Sequence, residues 1–250
     1  MKITIIGYGK MALALAKGLE KEHELVIVGR DENRLSHFVQ QLSKNAKTAL
    51  LNGYEIHNKT VLLCIKPYAL KDVSLELKGR ATTIYSVLAG TSIEKLKRDI
   101  EAKYYIRAMP NLSAEFFSSM TTLTGDQVKK DEATWLFSSI GQTLWVESEK
   151  ELDIATAIAG SGPAYLALVA EAMADGGVKE GLKRLDAVRL VEGLFLGFSP
   201  LLKNTHPALI KDAVMSPNGT TAAGYGALEK RGVRDAFMKA IQKAYSKTKQ

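Results

Sequence analysis

Lys2-Ile3-Thr4-Ile5-Ile6-Gly7-Tyr8-Gly9-Lys10-Met11-Ala12 passes from an apolar run through two glycines into residues of helical spacing. Lys2 to Ile6 reads as a short buried strand, and Met11 to Leu19 as a helix. Between them Gly7 allows a tight turn and Gly9 lets backbone approach a pyrophosphate. Ala12 stands where a third glycine would let the helix pack closely on the strand. A second strand, Leu25 to Val28, follows, which is the context a dinucleotide-binding loop requires. The expected cofactor contacts along this loop are Gly7, Tyr8, Gly9, Lys10, Met11 and Ala12. The same glycines and Lys10 break the apolar run before it reaches the length of a secretory signal.

The second strand ends Val28-Gly29-Arg30, where NAD-binding proteins place an acidic side chain on the ribose hydroxyls. Here Gly29 leaves room and the Arg30 guanidinium can hold a 2′-phosphate by paired hydrogen bonds. NADPH is therefore the expected cofactor, with NADH used less efficiently. Asp31 is the competing acidic candidate if the register slips.

Further strands are expected at Val61 to Ile65, Thr82 to Leu88, Tyr104 to Arg107, Met120 to Thr124 and Thr143 to Val146, with helices in the gaps. That alternation implies an α/β, Rossmann-like, doubly wound and mostly parallel sheet with an antiparallel edge at its end. Ligands of such sheets lie outside the carboxyl ends of the strands. Cys64-Ile65-Lys66-Pro67, Leu88-Ala89-Gly90 and Ala108-Met109-Pro110-Asn111 should thus surround one crevice, and Cys64, Ile65, Lys66, Pro67, Leu88 and Ala89 join the expected cofactor contacts.

From about Glu151 the strand signals stop. Helical spacing continues to Gln250, broken at Gly160-Ser161-Gly162-Pro163, His206-Pro207 and Ser216-Pro217. Two domains follow: 1–150, binding the nucleotide, and 151–250, all helical. Ala164 to Met173 and Leu190 to Leu202 are apolar nearly all round, and Gly193 and Gly197 would let another helix approach. So few residues cannot easily bury two such helices, so a partner subunit is expected to cover them, burial against the first domain being the alternative.

The chain has 250 residues and a formal net charge of +7, with lysines scattered and no basic run interleaved with aromatics. An anionic cofactor and substrate account for that charge without nucleic acid. The lone Cys64 forbids an internal disulfide, and no targeting segment is visible, so the cytoplasm is the expected compartment. No apolar stretch is expected to span a membrane. His23, His37, His57 and His206 lack metal-ligand spacing.

Ser216-Pro217-Asn218-Gly219-Thr220-Thr221 combines a turn, hydroxyls and a helix start. Pro217 fixes its own φ, Gly219 is expected to take the conformation closed to other residues, and the helix opens at Thr220 with its first N–H groups outward. Such a start attracts a carboxylate or phosphate, although Ser and Thr also cap many helices for stability alone.

Taken in order, Gly7 to Ala12, Lys66-Pro67, Ser86 to Gly90, Arg107-Ala108-Met109-Pro110-Asn111, Gly160 to Tyr165, and Ser216 to Thr221 with Leu228-Glu229 resemble the 1-pyrroline-5-carboxylate reductase family. The ordered set spans the chain and is specific, although no single piece is. The resemblance implies NADPH-dependent reduction of a cyclic imine to proline. It further implies a nicotinamide-binding domain followed by a helical substrate and dimerisation domain, and a homodimer with higher oligomers in some members. It implies that backbone at Gly219, Thr220 and Thr221 holds the substrate carboxylate, that Ser216 assists, and that the Thr221 hydroxyl sits beside the ring nitrogen. No Asp, Glu, His or metal is required.

Two positions depart from the family pattern: Asn218 stands where a first glycine is usual, and Leu112-Ser113 replace Thr-Pro. Asn tolerates the positive φ a glycine supplies, so the loop should survive. Glu115 to Met120 also lacks the family's glycines. A β-hydroxyacid dehydrogenase would need a catalytic lysine in the helical half, where Lys179 and Lys183 have the wrong context. A non-catalytic nucleotide sensor would have no use for the Ser216 to Thr221 cradle.

Overall fold

The computed structural model describes residues 1–44 and 46–248. The first strands are β1 (Lys2–Ile6), β2 (Glu24–Gly29), β3 (Lys47–Leu50), the two-residue β4 (Tyr54–Glu55) and β5 (Thr60–Leu63). They are followed by β6 (Leu77–Lys78), β7 (Ala81–Ser86), β8 (Ala102–Met109), β9 (Ser119–Gly125) and β10 (Gly141–Trp145). The main sheet has the order β10-β9-β8-β7-β5-β1-β2-β3, while β4 and β6 pair separately. All neighbours run parallel except β8 and β9, so the antiparallel pair lies one strand inside the edge and β10 runs parallel to β9.

The apolar strands fell where the sequence placed them, within one or two residues for most ends. Cys64 and Ile65 leave β5 early to face the cleft described below. The edge strand β3 was not anticipated, because three of its four residues are exposed and no apolar run marks it. Between β8 and β9 there is only a 3₁₀ turn, Leu112–Phe116, since an antiparallel return needs no crossover helix.

Helices α1 (Lys10–Leu19), α2 (Glu32–Val39), α3 (Leu70–Glu76), α4 (Ile93–Asp99) and α5 (Lys130–Ser138) divide between the two faces of the sheet. On one face Ile3, Ile5, Ile27 and Leu62 meet α1, α2 and α5 through Leu15, Phe38 and Phe137. On the other Ile6, Val28, Leu63 and Ile84 meet α3 and α4 through Leu70, Val73 and Leu96. The strand order reverses between β1 and β5, which makes their carboxyl ends the switch point of a doubly wound sheet.

The remaining helices are α6 (Glu149–Ala155), α7 (Gly162–Lys179), α8 (Arg184–Asn204), α9 (Pro207–Val214), α10 (Thr220–Lys230) and α11 (Val233–Thr248). The expected break at Gly160 to Pro163 is instead a π-helical turn, Thr156–Gly160, and the chain stays helical from Glu149 to Lys179. That run is long and apolar enough to cross a membrane, which corrects the expectation that no stretch reaches that length. A break that the pattern did not reveal follows α7, where Gly181 has φ +108°.

The chain forms two compact units, Met1–Ser161 with the last residues from Ala244, and Gly162–Lys243. Helix α6 lies in the first because buried Arg107 on β8 grips it, pairing with Glu149 at 2.9 Å and Asp153 at 3.0 Å. The second unit buries almost nothing apolar: Ala174 and Ala187 are covered, while Leu168, Leu185, Leu190 and Leu196 stand more than half exposed. Among the described residues, and apart from its own helix's backbone, no atom would meet a Cβ at Gly193 or Gly197 within 4 Å, so that side of α8 is open.

Candidate active site

At the switch point lies a cleft of about 830 Å³. Gly7 turns the chain there with φ +117°, and a Cβ on it would strike the Cys64 carbonyl oxygen at 2.5 Å, so only glycine fits. Gly9 is the N-cap of α1, with no side chain capping it, and a Cβ there would enter open space. An uncapped helix start beside an empty approach fits a pyrophosphate, with Lys10 and Met11 also on the wall. Ala12 is not on the wall; it is fully buried in the core, where its small side chain serves helix packing.

The far end of the cleft carries Gly29 and Arg30. Gly29 is needed for a reason the sequence did not give: a Cβ there would lie 2.3 Å from the Tyr8 ring. Asp31 is committed elsewhere, since its carboxylate accepts the Arg34 N–H at 3.0 Å and caps α2. That leaves arginine rather than aspartate at the tip of β2. Arg34 lines the same end and was missed; one turn into α2 from an Asp cap is the signal that could have found it. Arg30 donates through Nε to Glu76 Oε1 at 2.8 Å, and its second terminal nitrogen, Nη2, lies 2.7 Å from the same oxygen.

Cys64, Ile65, Lys66 and Pro67 also line the cleft, with Ala89 and the unanticipated Tyr68 and Val87. Burial pushes the Cys64 thiol well above its ordinary range, so it stands there as a neutral apolar group. Leu88 does not line the cleft, because its side chain is buried in the core with Ile84 and Leu96; its N–H donates to the Ser86 hydroxyl at 3.3 Å. Of Ala108 to Asn111 none lines it; Met109 is buried, and the Asn111 amide donates to the Ala159 carbonyl in the π turn at 3.0 Å. From that loop only Leu112 reaches the wall. The glycine-poor segment after it holds Phe117 at φ +56°, a strained position for a bulky residue.

In the helical unit, α10 begins at Thr220 with Gly219 as N-cap and no side-chain hydrogen bond to the cap. The positive φ of the turn is at Asn218, +57°, as its tolerance for that region allows. Gly219 itself is extended at φ −76°, ψ 164°, which corrects the expectation that it carries the unusual conformation. It is glycine for space: a Cβ would come within 2.3 Å of Ser216 Oγ. Its N–H already donates to the Ser216 carbonyl at 3.0 Å, whereas the opening N–H groups of α10 have no acceptor within their own helix. Ser216, Thr220 and Thr221 are exposed around that start. Among the described residues no group of three His, Cys, Asp or Glu side chains is placed to hold a metal ion.

Residues 149–250 match the family model for pyrroline-5-carboxylate reductase dimerisation, and residues 2–90 match that of the coenzyme F420-dependent NADP oxidoreductases. The chain is 37% identical to the pyrroline-5-carboxylate reductase of Synechocystis, covering 100% of this chain and 98% of that one. It is 35% identical to the Helicobacter pylori enzyme of the same name over 98% of both. The solved 1-pyrroline-5-carboxylate reductase of Streptococcus pyogenes superposes with a TM-score of 0.87 at 36% identity, covering 100% of this chain and 98% of the other. The Plasmodium falciparum pyrroline carboxylate reductase, solved with NADP bound, gives 0.82 at 27% identity over 100% and 98%.

Proposed function

We propose, from the premise that this chain belongs to the pyrroline-5-carboxylate reductase family, that it reduces 1-pyrroline-5-carboxylate to L-proline with NADPH preferred over NADH. Bound in the cleft, the cofactor would supply the hydride. The first turn of α1 and the close-approach glycine Gly9 would take its pyrophosphate, and Arg30 its 2′-phosphate. The observation that carries the substrate reading is the uncapped start of α10, whose free donors suit the imine's carboxylate.

An imine carbon becomes more electrophilic when its nitrogen is protonated or hydrogen-bonded. The chain's tasks are therefore to hold the carboxylate, to exclude water and to keep a donor at the nitrogen. The N–H groups of Thr220 and Thr221 hold the carboxylate, with Gly219 shaping the turn and Ser216 assisting from its edge. The Thr221 hydroxyl serves the nitrogen. The apolar faces of α7 and α8 form the interface of a homo-oligomer whose smallest unit is a dimer, which accounts for a membrane-length helix in a cytoplasmic enzyme.

Imine-dependent loss of NADPH absorbance by the purified protein tests the reaction. Thr221→Ala keeps the backbone donors, so it retains binding of a proline-like inhibitor while turnover falls about ten- to a thousand-fold, and Thr221→Ser recovers much of it. Parental turnover by Thr221→Ala across the working pH range would show that the hydroxyl has no chemical role.

A further inference from the structure

The arginine at the tip of β2 is not free. Arg30 and Glu76 are 46 residues apart in sequence and are joined through one carboxylate oxygen, which accepts from Nε at 2.8 Å and lies 2.7 Å from Nη2. This pairing occupies the side edge of the guanidinium and leaves Nη1 outside it. Glu76 ends α3, and Val73, one turn earlier on that helix, lines the cleft wall. The second arginine at this end also has an acidic neighbour, with Arg34 Nε 3.8 Å from Asp31. The ribose end of the cleft thus holds two arginines, each with a carboxylate beside it.

We infer that Glu76 is a specificity-determining residue: its carboxylate competes with the cofactor's 2′-phosphate for Arg30 and so limits how strongly NADP is preferred over NAD. The inference rests on the reading that Arg30 faces the 2′-phosphate. A phosphate that engages the outer end of the guanidinium lies one guanidinium width from the Glu76 carboxylate. Two like charges at that separation, at a half-exposed site, repel enough to weaken binding several-fold. A ribose hydroxyl is neutral and leaves the Arg30–Glu76 pair intact, so NAD gains nothing from removing the carboxylate.

The test is calorimetric titration of the cofactor-free oligomer with NADP⁺ and with NAD⁺, for the parent, Glu76→Gln, Arg30→Ala and the double variant. Gln keeps an acceptor oxygen for Arg30 at nearly the same volume and removes only the charge. Glu76→Gln is expected to tighten NADP⁺ about three- to tenfold and to leave NAD⁺ within twofold, and that gain should vanish in the Arg30→Ala background. Unchanged or weaker NADP⁺ binding, or equal changes for both cofactors, overturns the role of Glu76 while Arg30 stands. If Arg30→Ala itself leaves the NADP⁺ to NAD⁺ ratio unchanged, the reading of Arg30 fails and the inference falls with it.

Discussion

The same methyl group, added at Gly7 or at Gly9, should have opposite consequences. In Gly7→Ala the new Cβ would sit 2.5 Å from the Cys64 carbonyl oxygen and 2.9 Å from its carbon, on a residue at φ +117°. The backbone strain costs roughly 1–2 kcal/mol and displacing a central strand end roughly 1–3 kcal/mol more. At about 2–4 °C per kcal/mol for a chain of this size, the melting temperature should drop by about 4–20 °C. In Gly9→Ala the residue has φ −84°, ψ 178°, which any amino acid adopts, and the Cβ meets nothing within 4 Å. Its stability should stay within about 0.5 kcal/mol of the parent. The methyl occupies the approach to the start of α1, and losing one charge-assisted hydrogen bond there costs about 1.5–3 kcal/mol, or roughly ten- to a hundredfold in NADP⁺ affinity. Thermal melts with and without saturating NADP⁺ read both effects, because ligand bound to the native state raises the midpoint. If Gly9→Ala melts well below the parent without cofactor, or binds NADP⁺ within twofold of it, the division into a folding glycine and a cofactor glycine is wrong.

Arg107→Leu removes the charge-assisted bonds to Glu149 and Asp153, whose carboxylates are partly exposed, and should cost about 1.5–3 kcal/mol in urea unfolding; a loss under about 1 kcal/mol would refute the grip on α6. Light scattering at low micromolar concentration should find a dimer or larger species, and an active, folded monomer would contradict the account of the open faces of α7 and α8. Cys64 should react slowly with iodoacetamide near pH 8, since burial keeps it protonated, and more slowly still with NADP⁺ present; alkylation at the rate of a free thiol would refute that burial, and a rate indifferent to NADP⁺ would refute its place on the cofactor's wall.

The sequence made the sheet legible because β1, β2, β5, β7, β8 and β9 are mostly buried and rich in apolar and β-branched residues. It left β3 invisible because an exposed edge strand has no such run. Residues on the cleft wall were readable where a strand's own carboxyl end supplied them, as with Cys64 to Pro67. Those brought from other elements, as Arg34 is from α2, or set behind the wall from α3, as Glu76 is, depend on how helices settle on the sheet, and no local pattern encodes that. The turn at Ser216 to Thr221 shows the limit most sharply. Its Pro-Asn-Gly series announces a turn, and both Asn218 and Gly219 tolerate positive φ, so local propensity cannot choose between them. Tertiary space is the part not written locally: a Cβ on Gly219 would lie 2.3 Å from Ser216 Oγ, so a side chain there would crowd the turn. In the structure the left-handed residue is Asn218 at +57°, and Gly219, extended, caps the start of α10. An asparagine in place of the family's usual glycine is therefore tolerated at the one position of this turn that demands the conformation asparagine can adopt.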